Sequence, residues 1–277
     1  MKNLTNENII HVKKDGVEFL QFIKLLEYSD RINHAYSLGL DKDFRTETIR
    51  HTKLDDKQEQ NAIKCYKELT RVINSDYTHV VKSRQRHTKN VKCIKQKGEK
   101  PELYSEEYQD TDGLITNMPN VMLSTTNADC ILLLFYDPVK NVIANTHSGW
   151  RGTLQRISVE TVEKMQKEYN SDPKDIICCM CPSIRKCHFE VEQDVKEEFE
   201  KEFKELKKDE FIEELQPNKK WHIDTVYINK QILKEAGMQE KNIIDSKICS
   251  VCECDIVHSF RAEGENYGLA TAIIEIK

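Results

Sequence analysis

The amino-acid sequence predicts an α/β protein of the mixed α+β kind, in which a mixed β-sheet core is flanked by helices. Three short, apolar, β-branched runs in the centre of the chain have the character of buried strands: Val121–Thr126, Ile131–Tyr136 and Val142–Thr146. Apolar residues at helical spacing precede them at Lys57–Ile73 and follow them from Thr153 to about Tyr169. Strands and helices do not alternate strictly, so this class fits better than a doubly wound fold.

The first elements are short and separated by charged segments. Gly16–Ile23 and His34–Leu38 are predicted strands, and the helix at Lys57–Ile73 buries apolar residues spaced by three and four positions. A short strand is predicted at His79–Lys82. The segment Lys95–Asp112 is polar and charged, so it is predicted to be a surface loop.

Four further elements are predicted after the central strands. Ile176–Met180 and Leu269–Ile276 are strands, and Val195–Leu206 carries the buried face of a strongly charged helix. A second helix spans Asp224–Gly237, with the aspartate as N-cap and the glycine just beyond its end. We find no internal repeat and no linker, so residues 1–277 are predicted to form a single domain.

Composition and charge favour small molecules as partners. The chain has 42 Lys and Arg residues against 47 Asp and Glu, a net charge of −5, and no basic stripe interleaved with aromatics of the kind that binds nucleic acid. No apolar run approaches the ~18 residues of a membrane span. The opening residues do not resemble a signal peptide and the ten cysteines are scattered, so we expect reduced thiols in the cytoplasm.

The segment NTHSGWRGT, residues 145–153, lies between a predicted strand and a predicted helix. Gly149 and Gly152 allow backbone N–H groups to approach a ligand, while Arg151 and the start of the helix favour a negative charge such as phosphate. The structural alternative is a simple turn in which Trp150 packs and Arg151 pairs with a carboxylate. The residues alone leave both interpretations open.

Two residues upstream are candidates for chemistry. Cys130 stands immediately before an apolar strand, where it is a thiolate nucleophile, a soft metal ligand or an inert small hydrophobe. His87 lies in a polar stretch, where a histidine seen alone is more often a surface residue. Neither residue by itself identifies a site.

Together, these segments resemble one family. QRHTKNV, TDGLIT, TTNADCILLLFYDP, HSGWRGT, CPSIRKCHFEV and HSFRAEG occur in the order of the YfiH-type laccase-domain family, from roughly Asn33 to the C-terminus. Members of this family were formerly called multicopper polyphenol oxidoreductases and are now regarded as purine nucleoside phosphorylases. The resemblance implies the mixed α/β fold of that family.

The resemblance implies a zinc ion held by His87, Cys130 and His147. Two imidazoles and one thiolate suit zinc, and three protein ligands leave its fourth position open, as catalytic zinc requires. Copper is the alternative metal, although none of the nine histidines stands two residues from another, as the H-x-H pairs of multicopper oxidases do. Asp129 is a candidate to orient a ligand or carry a proton, and a structural role for it is equally open.

The implied activity is zinc-dependent phosphorolysis of adenosine, inosine and methylthioadenosine, together with deamination of adenosine. The partners are then a purine nucleoside and phosphate, with Arg151 and the helix start holding phosphate. Alternatives are a copper-dependent polyphenol oxidoreductase, a cysteine hydrolase using Cys130 with His147 or His87 as base, and an enzyme that edits peptidoglycan precursors. A metal-stabilised binding module without catalytic activity is a further alternative.

The sequence also departs from the family pattern. Where the family has a glycine-rich S-T-R-x-G-G stretch, this chain reads AYSLGLDKDFR, so the expected arginine is missing or displaced to Arg45. Near the end, Arg261 is present, but the later arginine of the family's T-G-R stretch is absent. Both departures affect the expected affinity for substrate and leave the predicted metal ligands intact.

The cysteine clusters offer a competing metal site. Cys249, Cys252 and Cys254 form a C-x-x-C-x-C pattern, and a second cluster contains Cys178, Cys179, Cys181 and Cys187. A structural zinc or an iron–sulfur cluster is therefore an alternative. Neighbouring cysteines in the predicted strand at residues 176–180 point to opposite faces, which makes joint ligation awkward. We therefore predict that Cys249, Cys252 and Cys254 do not share a metal and that the protein holds at most one zinc per chain.

Overall fold

The computed structural model describes residues 2–48, 51–215 and 219–277. Within these ranges the chain forms the following β-strands: β1 (Ile9–Lys14), β2 (Val17–Phe22), β3 (Ile32–Ser37), β4 (Val80–Lys82), β5 (Val91–Cys93), β6 (Gly113–Thr116), β7 (Met122–Asn127), β8 (Ile131–Asp137), β9 (Val142–Ser148), β10 (Ile177–Met180), β11 (Glu190–Val191), β12 (Ile212–Leu215), β13 (Lys220–Ile223), β14 (Ile243–Asp245) and β15 (Ala270–Ile276). It also forms these α-helices: α1 (Ile23–Leu26), α2 (Asp56–Val72), α3 (Trp150–Leu154), α4 (Ile157–Tyr169), α5 (Gln193–Glu202), α6 (Lys208–Phe211), α7 (Thr225–Glu235) and α8 (Phe260–Glu263).

Two six-stranded sheets form the centre of the molecule. The first has the strand order β1-β2-β3-β15-β7-β4, and the second has the order β14-β10-β8-β9-β6-β5. Both sheets are mixed, because β4 runs parallel to β7, β5 to β6 and β14 to β10, while the other neighbours are antiparallel. In the described residues the chain changes between these two sheets four times, and one of these connections is the turn of residues 128–130, between β7 and β8.

The two sheets pack face to face, and helices cover their outer sides. The core between the sheets combines side chains of β3, β7 and β15 with those of β8, β9 and β10. Helix α2 packs on the outside of the first sheet, and α4 and α7 pack on the outside of the second. The buried amide of Asn145 joins the layers, donating to the carbonyls of Leu123 at 3.0 Å and Ala272 at 2.8 Å.

A small three-stranded sheet, in the order β11-β13-β12, lies beside these layers. Its apolar side chains pack with those of α5, α6 and α7 into a separate cluster. Ile184 and Phe189 belong to this cluster and also line the cavity described below, so the small sheet supports one wall of that cavity.

The predicted fold class is confirmed, and the central strands lie within two residues of their predicted bounds. The predicted helix after β9 is wrong in two respects: it begins at Trp150, three residues early, and it breaks at Arg156, which has a left-handed φ of 56°. The strands at Ile9–Lys14 and Gly113–Thr116 and the small sheet were not predicted, because short segments carry too little periodicity. The single-domain organisation stays a prediction.

Within the described residues, no helix is both long and apolar enough to cross a membrane.

Candidate functional site

A cavity of about 580 Å³ lies where loops and strand ends of the two large sheets come together. Its walls come from several parts of the chain: residues 45–48 and 51, the segment at residues 82–87, the connection from β7 to β8 at residues 126–131, and the end of β9 with the start of α3. Ile184 and Phe189 in the loop after β10, Thr225 at the start of α7 and the C-terminal segment at residues 260–269 complete the wall. This volume falls in the range of roughly 300–1,000 Å³ that is typical of small-molecule sites.

Three of the predicted site residues meet at this cavity. The donor atoms of His87, Cys130 and His147 all lie within 4.8 Å of one another. The Cys130 Sγ is 3.8 Å from the His87 Nε2, and the two imidazole rings have their centroids 4.9 Å apart. His147 is supplied by β9, Cys130 by the crossing turn before β8, and His87 by the loop after β4.

Asp112 organises these donors, and sequence reasoning did not identify it. Its Oδ1 accepts hydrogen bonds from the His147 Nδ1 at 2.8 Å and from the His87 backbone N–H at 3.0 Å. Its Oδ2 accepts from the backbone N–H groups of Arg86 and Thr88 and from the Thr88 hydroxyl. The motif TDGLIT contains this residue, but the sequence carries no signal that its carboxylate accepts hydrogen bonds from the His147 ring and the His87 backbone.

The electrostatics of the group favour an ionised thiol. Burial opposes ionisation of Cys130, but the charge of His147 and hydrogen bonds from His147 and His87 outweigh it and lower the pKa of the thiol to about 6. Burial likewise opposes protonation of His147, but Cys130 and Asp112 raise its pKa to about 10. Desolvation of Asp112 is outweighed by its bonds to His147 and to backbone N–H groups, which lower its pKa to about 2.

The donor set fits a zinc ion. Because Asp112 holds the Nδ1 of His147, the Nε2 is the nitrogen left for a metal, which is the usual carboxylate–histidine arrangement behind a zinc ligand. Gly149 leaves room for the group, since a Cβ there would lie 2.6 Å from the His87 Cδ2 and 3.1 Å from the Cys130 Sγ. Two nitrogens and one sulfur suit zinc, and the cavity side is open for a further ligand.

The site gives little support to multicopper chemistry. The histidines that line the cavity are His51, His87 and His147, and His51 is exposed and faces Glu47 at 3.7 Å. A histidine-rich cluster of several metal positions is therefore not formed by the described residues around this cavity.

The sequence leaves Asp129 open as a proton carrier or as a structural residue, and its hydrogen bonds favour the structural role. Its Oδ1 accepts from the hydroxyls of Ser250 and Ser259 at 2.6 and 2.7 Å, and its Oδ2 accepts from the Arg261 backbone N–H at 2.7 Å. Both carboxylate oxygens thus fasten the C-terminal segment to the crossing turn. Its positive backbone φ of 87° is part of this tight turn.

Arg151 does not lie where the sequence led us to expect it. It is absent from the residues that line the cavity, is exposed, and stacks on the Trp150 ring at 4.1 Å. Helix α3 begins at Trp150, so Arg151 lies in its first turn, where Trp150 lines the cavity and Arg151 does not. Gly152 is buried against Ile157 and has a packing role.

Other basic side chains line the cavity instead. Lys82 is buried, and its Nζ donates to the Ser83 carbonyl at 3.3 Å; in the described part of the chain it makes no ion pair with a carboxylate. Burial lowers the pKa of Lys82 to about 8. Arg86 pairs with Glu47 at 2.8 Å, and Arg45 stacks on Tyr267 at 4.7 Å. Lys82 is therefore a buried cation on the cavity wall that has hydrogen-bonding capacity left for a ligand.

The fold and the site together define a class of mixed α/β protein in which a candidate metal site of histidine and cysteine faces a ligand-sized cavity. Residues 47–277 match the model of the family described as multi-copper polyphenol oxidoreductase laccase. The chain belongs to this family.

Curated relatives of this chain carry enzyme names. Purine nucleoside phosphorylase YlmD of Bacillus subtilis is 28% identical over 223 residues, which cover 79% of this chain and 79% of the relative. Adenosine deaminase RL5, from an unknown prokaryotic organism, is 30% identical over 198 residues, which cover 71% of this chain and 74% of the relative. These names support an enzyme role of the purine nucleoside phosphorylase type at the level of the family.

Solved structures share the fold. The YfiH protein of Bacillus licheniformis aligns with a TM-score of 0.79 at 22% identity, covering 94% of this chain and 96% of that one. YlmD from Geobacillus stearothermophilus aligns with a TM-score of 0.79 at 19% identity, covering 97% and 99%. The arrangement of two mixed sheets with flanking helices is thus a fold that these proteins have in common.

Proposed function

We propose that this protein is a zinc-dependent purine nucleoside phosphorylase that also deaminates adenosine. The observation that carries the proposal is the meeting of His87, Cys130 and His147 at a cavity of about 580 Å³ that also contains the buried Lys82. A cavity that combines a metal-type donor set with an available cation suits a reaction between a nucleoside and phosphate.

The walls of the cavity suit a purine nucleoside. The aromatic side chains of Trp150, Phe189, Phe260 and Tyr267 line it, and flat aromatic faces stack well on a purine ring. The Phe260 and Tyr267 rings contact each other edge to face at 5.1 Å, so they form one aromatic surface. We assign the base to this side of the cavity.

Phosphorolysis requires phosphate against the anomeric carbon of the ribose. A phosphate oxygen forms the new bond to C1′ while the C1′–N9 bond breaks, and the purine leaves with the electron pair and takes up a proton. The Lys82 ammonium is the group we assign to phosphate, because it is buried and makes no ion pair in the described chain. Arg86, already paired with Glu47, completes the positive wall.

Zinc, when bound by the three donors, supplies a Lewis acid that stabilises developing negative charge and lowers the pKa of water. Asp112 keeps His147 in one tautomer and holds the His87 backbone, so both imidazoles are oriented before substrate arrives. In deamination, water attacks C6 of adenine and ammonia leaves, so the phosphate-binding lysine is dispensable for that reaction.

A second candidate is a cysteine hydrolase, and one observation favours it. Cys130, His147 and Asp112 form a thiol–imidazole–carboxylate series in which the carboxylate accepts from the His147 Nδ1 at 2.8 Å. This is the arrangement of a nucleophile, its base and the group that orients the base. The cavity also favours either enzyme over a binding module without catalytic activity.

The test is to incubate the purified protein with adenosine, with and without phosphate, and to identify the products. The proposal predicts adenine and ribose 1-phosphate when phosphate is present, and inosine in either case. A chelator should abolish both activities and added zinc should restore them. Activity that survives full removal of metal but is lost on alkylation of Cys130 would favour the cysteine hydrolase instead.

Two matched variants test the phosphate assignment. Lys82→Met keeps the size of a buried side chain but removes one charge-assisted hydrogen bond, which contributes about 1.5–3 kcal/mol, so the phosphate concentration for half-maximal rate should rise about 10- to 150-fold. Arg151→Ala removes an exposed arginine that does not line the cavity and should leave this value unchanged within about twofold. The reverse pattern would return phosphate to Arg151 and the start of α3.

A further inference from the structure

A second group of metal-type ligands lies outside the cavity. We call it the thiolate cluster: Cys187 and His188 in the loop after β10, and Cys249 and Cys252 in the loop before α8. Cys187 and Cys249 are 62 positions apart in sequence. All four donor atoms nevertheless lie within 4.8 Å of one another.

The distances in the thiolate cluster match the edges of a tetrahedron. The Cys187 Sγ is 3.6 Å from the Cys249 Sγ and 4.0 Å from the Cys252 Sγ. The His188 Nδ1 is 3.2, 3.5 and 3.6 Å from the sulfur atoms of Cys187, Cys249 and Cys252. Zinc bonds of ~2.3 Å to sulfur and ~2.0–2.1 Å to nitrogen place tetrahedral ligands about 3.8 Å apart for two sulfurs and about 3.5 Å apart for sulfur and nitrogen.

We propose that the thiolate cluster binds one structural zinc ion. Three thiolates and one imidazole complete a tetrahedral shell without an open position, which is typical of structural zinc sites. The C-x-x-C spacing of Cys249 and Cys252 is also a usual spacing for such ligands. The cluster therefore differs from the group at the cavity, where three donors leave one position open.

Other uses of these cysteines fit the geometry less well. A disulfide between Cys187 and Cys249 needs sulfur atoms about 2.05 Å apart and would leave Cys252 and His188 facing it without a role. An iron–sulfur cluster distributes its ligands around several iron atoms, so ligand atoms this close together favour a single ion. This proposal replaces our prediction that Cys249, Cys252 and Cys254 do not share a metal and that the chain holds at most one zinc; Cys254 lies outside the group.

The ion would tie the loop after β10, which places Phe189 on the cavity wall, to the loop before α8. The Arg261 guanidinium donates to the carbonyls of His188 at 3.0 Å and Glu190 at 3.2 Å, and Phe189 stands between them on the cavity wall. The Ser250 N–H, next to Cys249, donates to the Ser183 carbonyl at 3.0 Å. The second loop, residues 246–259, contains turns but no helix or strand, so a metal would supply order that the backbone alone does not.

Metal content per chain tests the proposal independently of any activity. Wild-type protein, purified without a metal-affinity tag, should contain two zinc ions per chain, and Cys130→Ala should retain one. Replacing Cys187 and Cys252 by serine should also leave one zinc ion, and because both residues are exposed, this double variant should still fold. Cys254→Ser is the matched control and should keep two.

Cobalt substitution and hydrogen exchange identify the site. In Cys130→Ala, the remaining cobalt should show the strong thiolate-to-cobalt absorption of a thiolate-rich site, and the double serine variant should lose it. Amide exchange in residues 246–259 should become at least about tenfold faster in the double variant and stay unchanged in Cys254→Ser. One zinc per chain that disappears in Cys130→Ala, iron in place of zinc, or a Cys187–Cys249 disulfide in denatured alkylated protein would overturn the proposal.

Discussion

Replacement of Asp112 by asparagine tests how the zinc ligands at the cavity are oriented. The carboxylate is fully buried and accepts hydrogen bonds at both oxygens, from the His147 ring and the His87 backbone on one side and from Arg86 and Thr88 on the other. An asparagine keeps the size of the side chain but offers only one oxygen. Whichever way its amide turns, the NH₂ group faces at least two N–H donors.

The expected effect is large. Two charge-assisted hydrogen bonds at about 1.5–3 kcal/mol each amount to a loss of about 3–6 kcal/mol in the free energy of unfolding. The loss of a carboxylate behind a metal-binding histidine typically weakens metal affinity about 10- to 100-fold. The Asp112→Asn variant should therefore bind zinc at the cavity about 10- to 100-fold more weakly while all three ligands remain present.

Zinc affinity is measured by competition with a chromophoric chelator, and stability is measured by urea unfolding of the metal-free protein. The control is Asp110→Asn, two residues away, where the side chain is exposed and, within the described residues, its carboxylate makes only a long ion pair of 3.9 Å with Arg86. A folded Asp112→Asn protein with wild-type zinc affinity would refute the idea that this carboxylate orients the ligands. An equal loss in the control would refute it as well.

Three further predictions concern other parts of the molecule. Gly149→Ala should weaken zinc binding at least about tenfold, because the new Cβ would lie 2.6 Å from the His87 ring. The control Gly98→Ala, whose new Cβ would have no atom within 4 Å, should not change the chelator titration. Asn145→Ala should lower the free energy of urea unfolding by about 2–4 kcal/mol, since it removes three buried hydrogen bonds, to the carbonyls of Leu123 and Ala272 and from the Thr125 hydroxyl; a loss below about 0.5 kcal/mol would contradict this. Asp245→Asn should cost about 3–5 kcal/mol at pH 7, because it breaks a buried ion pair. Burial opposes ionisation of Asp245, but hydrogen bonds from Arg185 and the charge of Lys230 hold the pKa of this carboxyl below its usual range. The stabilisation by the ionised carboxylate is therefore present above the unfolded pKa of about 3.9 and is lost as the pH falls. The stabilities of the variant and the wild type should converge in acid unfolding curves.

The central part of the site follows from local sequence patterns. The β-branched runs around β8 and β9 favour buried strands, so the sequence alone places Cys130 and His147 at strand ends. The resemblance to the family then connects them with His87. Short-range preferences of this kind act within a few residues and can be read from the chain directly.

The prediction for Arg151 shows where local patterns stop. Helix α3 begins three residues earlier than predicted, and Arg151 stacks on Trp150 and is not among the residues that line the cavity. Helix boundaries depend on capping and packing contacts that the residues of one segment do not specify. The cation that we propose for phosphate is instead Lys82, which the sequence shows only as the last residue of a short strand.

The sequence by itself determined the fold class, the central strands, the helix α2 and the identity of the three donors proposed for the cavity. Tertiary structure alone decided that Asp112 joins both histidines, that Asp129 fastens a loop, and that Cys187 meets Cys252. The physical reason is distance along the chain. Hydrophobic periodicity records which face of a segment is buried, whereas contacts between residues many positions apart depend on how the two sheets and their loops pack, and no single segment encodes that packing.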